Sequence, residues 1–316
     1  MTKFSIPITR LTTSNEAFED QLNKLLCREM LVTDEVTQAV TKILHDVKRR
    51  KDLAVLEYTN KYDGFGASSI EELFIPKKKL IESLDRISSK QRGVLEYAAN
   101  RIRKYHEHQK QSSWQYEETD GSTYGQKISA LDKAGIYVPG GKANYPSSVL
   151  MLSIPAQVAG VEEIIATVPT RYGKERDLVF AAAALAGVSY VFTIGGAQAI
   201  GALAYGTESI PKVDKITGPG NIYVTVAKKL VFGEVGIDMI AGPSELTIIC
   251  DGETDPDWIA MDLFAQAEHD EQAQSILIST DQKFLDAVQA SIDRLLPNME
   301  RGKIIETSLR NRGIFI

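Results

Sequence analysis

The chain has 316 residues, with 36 basic and 42 acidic side chains and a formal charge of -6, 43% hydrophobic and 25% charged residues. This is the composition of an ordinary globular protein of about two domains, with enough chain for a large core. The acidic balance argues against nucleic acid as a main partner, and no stretch has the length and apolarity of a membrane span.

The leading residues, Met1 to Glu29, carry mixed signals and nothing like a secretory leader, so the cytoplasm is the expected compartment. Thr33-Asp34-Glu35 reads as a helix start, followed by Val36, Val40, Ile43, Leu44 and Val47 at helical spacing. A second helix carries Leu53, Val55, Leu56 and Tyr58 and ends at Gly64. A third follows Ile75-Pro76 through Leu80, Leu84 and Ile87, with Lys77-Lys78-Lys79 as a solvated face. A fourth, rich in charge, runs from about Gln91 to Gln111, with His106 and His108 on its surface. His45 is read as a surface or boundary residue of its helix. Thr123-Tyr124-Gly125-Gln126 predicts a short strand or hairpin.

From Ala134 the pattern changes. Strand-like runs at 134–139, 164–168, 190–194 and 213–216 alternate with helical segments and end in glycine turns. The runs are nearly all apolar, as parallel strands buried on both faces should be. Alternation of this kind predicts βαβ units and an α/β fold. After Ser244 come a strand at 246–250, a helix from Trp258 through His269, a strand at 275–279 and a helix at 283–295. The last residues, Ile314-Phe315-Ile316, read as a strand that stops in the middle, so the chain is expected to continue. The two cysteines, Cys27 and Cys250, make neither a metal spacing nor a disulfide framework. Cys250 closes an apolar run and is expected to be a small buried hydrophobe.

The chemistry is expected in the loops. Ligands of open parallel sheets sit beyond the carboxyl ends of the strands. Tyr137, Gly140-Gly141, Gly195-Gly196, Gly218-Pro219-Gly220 and Gly242-Pro243 all fall there. Glycines admit a close ligand, and the helix starts that follow offer free N–H groups to a phosphate. No Gly-x-Gly-x-x-Gly fingerprint is present, and the same glycines equally suit plain tight turns. Gln266 and His269, three apart on a helix, share one face. They are either polar helix residues or two of the donors of a metal site; from spacing alone both readings stand.

Several runs resemble the histidinol dehydrogenase family. They are Ile136-Tyr137-Val138-Pro139-Gly140-Gly141, Tyr145-Pro146-Ser147-Ser148-Val149-Leu150-Met151, Gly195-Gly196-Ala197-Gln198-Ala199-Ile200, Val213 through Asn221, Ile237 through Glu245, and Gln266-Ala267-Glu268-His269-Asp270. The resemblance covers nearly the whole chain. It implies oxidation of L-histidinol to L-histidine through L-histidinal, by two hydride transfers to NAD with zinc assistance. It also implies that Tyr137, Gln198 and Asn221 contact NAD, that Ser244, Gln266 and His269 bind the substrate, and that Gln266 and His269 ligate zinc. The implied fold is two Rossmann-like domains with parallel-sheet cores, one discontinuous, after a short N-terminal helical segment. The implied boundaries are 1–29 for that segment, 30–136 with 245–316 for the first domain, and 137–244 for the second.

The family's catalytic Glu-His pair, a metal-binding aspartate and a last metal-binding histidine correspond to positions beyond Ile316. The chain alone is therefore expected to be inactive or nearly so, and the complete enzyme to be a homodimer with its site finished by the other subunit. Lys51 stands where the family usually has glycine, and Lys142 where it has a small hydroxyl residue. Two other readings stay open: a dehydrogenase of another small amino or sulfonate alcohol on the same scaffold, and a noncatalytic binding or structural protein that keeps the fold.

Overall fold

The computed structural model describes residues 5–26, 34–140, 145–169, 174–240 and 244–316. Thr33, Cys27, Gly141, Lys142 and the Gly242-Pro243 turn, singled out above, lie outside the described residues. In chain order the elements begin with β1 (Thr9–Arg10), α1 (Phe18–Leu26), α2 (Asp34–Arg50), α3 (Asp52–Asp63), β2 (Phe74–Pro76), α4 (Lys77–Arg86) and α5 (Ser89–Glu107). Then come β3 (Trp114–Glu117), β4 (Thr123–Gln126), β5 (Lys133–Tyr137), α6 (Pro146–Val158), β6 (Glu163–Thr167), α7 (Lys174–Leu185) and β7 (Tyr190–Phe192). Next are α8 (Gly196–Tyr205), β8 (Lys215–Thr217), α9 (Ile222–Val231), β9 (Gly236–Ile237) and β10 (Glu245–Ile249). The chain finishes with α10 (Pro256–Ala267), β11 (Gln274–Ile278), α11 (Gln282–Leu295), α12 (Gly302–Arg312) and β12 (Ile314–Phe315).

The chain divides into two compact units, one of residues 32–241 and the other of residues 1–31 with 242–316. The larger is built on a six-stranded sheet of order β2-β7-β6-β5-β8-β9, parallel except for the antiparallel edge strand β2. Its strands alternate between two cores. Tyr137, Ile165, Phe192 and Ile216 face a layer made by α2, α3, α8 and α9. Ile136, Ile164, Ala166 and Val191 face a layer made by α4, α5, α6 and α7. Apolar residues on both faces of one strand are what the uninterrupted runs required.

This arrangement corrects the expected division. Residues 34–136 do not build a sheet with 245–316. Val40, Ile43, Leu44 and Val47 of α2 bury against α8 and α9, and β2 pairs with β7. The amphipathic stripe of α2 dictates that one face is buried, not which sheet receives it.

The smaller unit has a parallel sheet of order β1-β12-β11-β10. α10, α11 and α12 cover one face, through Leu263, Phe264, Val288, Ile305 and Leu309 around Leu277 and Phe315. On the other face Phe18, Leu22 and Leu25 of α1 pack with Leu11, Ile276 and Ile314. The N-terminal segment is thus part of this unit and no separate module. The final strand pairs on both sides, with β1 and β11. The edge strand β10 leaves Ile249 80% exposed. Cys250, at its end, is half-buried and not enclosed as expected, and a hydrogen bond from the Thr254 side chain holds its thiol below the usual range.

Between α2 and α3 stands a single residue, Lys51, with φ 52 and ψ −124, the one non-glycine at positive φ among the described residues. A side chain here is held in a conformation that L residues disfavour and glycine adopts freely.

Candidate functional site

The six-stranded sheet changes direction of winding between β5 and β8. The chain runs β5, β6, β7 outward on one side, then returns to lay β8 and β9 on the other. At such a switch point the loops leaving two adjacent strands diverge, and the crevice between them is the usual ligand position. Tyr137 ends β5, and Gly218-Pro219-Gly220-Asn221 follows β8. The geometry places these two loops side by side: a Cβ on Gly218 would stand 2.0 Å from the Tyr137 carbonyl oxygen. Gly218 holds φ +125, so glycine is demanded by both conformation and space.

Tyr137 is buried, and its hydroxyl accepts a hydrogen bond of 3.2 Å from the Gly196 N–H at the start of α8. Burial pushes the phenol up to about 12, so it stays protonated at neutral pH. Gln198, one turn into α8, is also buried, and its amide donates to Asp63 at 3.4 Å. The Gln198 amide oxygen lies 2.7 Å from where a Cβ of Gly196 would be, and Gly196 has φ +63. Asn221 is exposed at the N-cap of α9, where its side-chain oxygen accepts from the Val224 N–H at 3.2 Å. Tyr137, Gln198 and Asn221 therefore gather at the carboxyl edge of one sheet, beside two helix N-termini whose N–H groups favour anions.

Ser244, Gln266 and His269 belong to the smaller unit, and they sit at the opposite kind of edge. Ser244 precedes β10, is exposed, and accepts through its carbonyl from the Gln274 N–H at 3.1 Å. Gln266 is half-buried on the last turn of α10, and His269 is exposed just past its end. The Ser275 hydroxyl ties this turn to β11 by donating to the Leu263 carbonyl at 3.2 Å. Because α10 runs back along the sheet, all three residues lie at the amino ends of β10 and β11. The carboxyl-end placement expected of the glycine turns holds for Gly140, Gly195-Gly196 and Gly218-Pro219-Gly220 of the larger sheet, while this trio lies at the other edge of the smaller one.

The other histidines belong to the larger unit. His45 is exposed on α2, His106 bonds Gln109 through Nδ1 at 2.6 Å, and His108 is exposed after α5. Among the described residues no group of three or more His, Cys, Asp or Glu is placed to hold a metal ion.

Three residues near the loops escaped the sequence reading. Asp63 partners Gln198. Lys228 and Asp238 form an ion pair beside Gly218. The signal for Lys228 was present: a lysine one turn past Val224, on the buried face of α9.

Comparison with known proteins matches the sequence and the fold to one family. The family model for histidinol dehydrogenase matches residues 26–316. The chain is 59% identical over 312 residues to histidinol dehydrogenase of Pseudomonas putida, covering 99% of this chain and 71% of that protein. It is 59% identical over 309 residues to the Pseudomonas aeruginosa protein, covering 98% and 70%. The crystal structure of histidinol dehydrogenase from Elizabethkingia anophelis superposes with a TM-score of 0.88 at 33% identity, over 99% of this chain and 72% of that one. With the family model spanning nearly all of the sequence and the fold reproduced at that score, the chain belongs to the histidinol dehydrogenase family.

Proposed function

We propose that this chain serves the oxidation of L-histidinol to L-histidine through L-histidinal, by two hydride transfers to NAD. The observation that carries the reading is the switch point between β5 and β8, with Tyr137 and the Gly218–Asn221 turn on its two sides. A dinucleotide suits it: two helix N-termini lie at that edge, and the glycines bring backbone within reach of a ligand. NAD, when bound, accepts the hydride lost by the carbinol carbon. Tyr137 braces the start of α8, Gln198 presents its amide there, and Asn221 stands exposed at the start of α9 to meet the cofactor. In the smaller unit Ser244 offers a hydroxyl to the substrate, and Gln266 and His269 offer an amide and an imidazole.

Zinc fits these residues only in part. Protein zinc sites take about four donors, or three and a water. Gln266 and His269 amount to two, and no cluster of the usual donor types stands among the described residues. The two are half of a site at most, and the proposed chemistry runs through no metal held by them alone. Oxidation of an alcohol also requires a base for its proton. His45, His106 and His108 lie in the larger unit, and His269 has its role among the donors. A positioned general base is worth about 10²–10⁴-fold in rate. A cytoplasmic homodimer is the form we propose for the working enzyme; no helix among the described residues is long and apolar enough to cross a membrane.

The test is a pair of titrations with the purified chain. NAD is expected to bind, and L-histidinol to bind more tightly than an amino alcohol lacking the imidazole. Failure of NAD to bind at millimolar concentration refutes the cofactor assignment. Equal affinity for the two alcohols refutes the substrate.

A further inference from the structure

Lys228 is 2% exposed on the inner face of α9, and its ammonium has two partners. It donates to the Gly218 carbonyl at 2.8 Å and to one oxygen of the Asp238 carboxylate. The other Asp238 oxygen accepts from the Gly218 N–H at 2.8 Å, and the first also accepts from the Met239 N–H at 2.7 Å. Both backbone groups of Gly218 are therefore gripped by side chains, one from α9 and one from the end of β9, that are themselves paired. The reach follows from helix geometry: side chains lean toward the helix N-terminus, so the Lys228 stem points back to the turn that opens its own helix.

Burying an ammonium is costly until its partners compensate, and apolar residues of the same volume often serve stability as well or better. The compensation here is directed at one peptide. Gly218 leaves the sheet just beyond the β5–β8 pairing and has a glycine's full conformational range to lose. Sheet hydrogen bonds no longer hold it; the ion pair does.

We infer that Lys228 and Asp238 are positioning residues, clamping Gly218 so that the turn ending in Asn221 is held ready to receive the dinucleotide. This rests on the reading of that turn as a cofactor loop. The pair acts through backbone and not by touching the ligand. Lys228 also balances the Asp238 carboxylate, which would otherwise stand as a bare negative charge beside a site for an anion.

The experiment compares the chain with Lys228→Met and Asp238→Asn, by amide hydrogen exchange and by NAD titration. In Lys228→Met, exchange at Gly218, Gly220 and Asn221 is expected to quicken at least tenfold, while Ile164, Ile165 and Ala166 of β6 keep their rates. NAD affinity is expected to fall about tenfold. Asp238→Asn, which keeps shape and polarity, loosens the loop in the same place and supplies the comparison if the methionine variant does not fold. Exchange rising equally in β6 and the loop overturns the inference, because the pair would then serve the fold as a whole. Unchanged NAD affinity in both variants, with the parent chain binding NAD, overturns it while leaving the cofactor reading intact. A parent chain that does not bind NAD removes the cofactor reading and the inference together, whatever the loop does.

Discussion

Replacing Lys51 by glycine is expected to stabilise the larger unit. Lys51 alone joins α2 to α3, at φ 52 and ψ −124. Holding a side chain in a sparsely populated region costs about 1–3 kcal/mol. Glycine adopts the same angles freely but loses more freedom on folding, which costs about 0.5–1 kcal/mol. The backbone hydrogen bonds of residue 51, its N–H to Val47 and its carbonyl from Val55, survive the change. Its side chain is exposed, so little packing is lost. The net expectation is a gain of about 1 kcal/mol, or roughly 2–4 °C in the midpoint of a domain of this size. Urea and thermal unfolding followed by circular dichroism read this directly. Lys51→Ala removes the side chain beyond Cβ but keeps the strain, so it should leave the midpoint where it is. If Lys51→Gly lowers the midpoint, or alanine gains as much as glycine, strain at this hinge is not the operative term.

Other substitutions and conditions give equally definite outcomes. Asn221→Ala should cost about 1 kcal/mol of stability through loss of the α9 cap. Asn221→Asp should restore the cap yet weaken NAD binding about tenfold, or roughly 1.4 kcal/mol, by placing a like charge at the cofactor; titration and unfolding on the same samples separate the two effects. The Arg50 guanidinium holds the Asp46 carboxyl at about 2, below its ordinary 3.8. That contribution to stability is complete above the ordinary value and disappears as pH falls through about 2. Asp46→Asn should flatten this part of an acid-unfolding curve, and an unchanged curve would contradict the assignment. Equilibrated with zinc and then desalted, the chain should retain well under one metal ion per molecule by elemental analysis; full retention would show that more donors than Gln266 and His269 converge there.

Much of the larger unit was legible from residue order. The apolar runs around Ile136, Ile164 to Ala166 and Val191 announced buried parallel strands, and the glycines after them announced turns at one edge. What a linear pattern does not carry is the partner of an amphipathic helix. The stripe on α2 was clear, yet its burial against α8 and α9 is settled by the whole sheet. The strand β2 was hidden because three residues ending in proline look like a helix entry. The helix α12 went unread because only Ile305, Ser308 and Leu309 of its residues are buried, too few to mark a period. Of the candidate residues, Gln198, Asn221 and Ser244 stood out as lone amide or hydroxyl side chains in glycine turns. Lys228 and Asp238 did not, since a pair ten residues apart meets only after β9 has been laid beside β8.

The smaller sheet has a consequence for how the molecule is made. Thr9 and Arg10 lie against Ile314 and Phe315, so during synthesis β1 waits for β12. In between, the strands and helices of residues 32–241 have all their partners available and are free to fold during synthesis. A nascent chain arrested before α12 should therefore carry a protease-resistant middle between an unpaired beginning and an unfinished end.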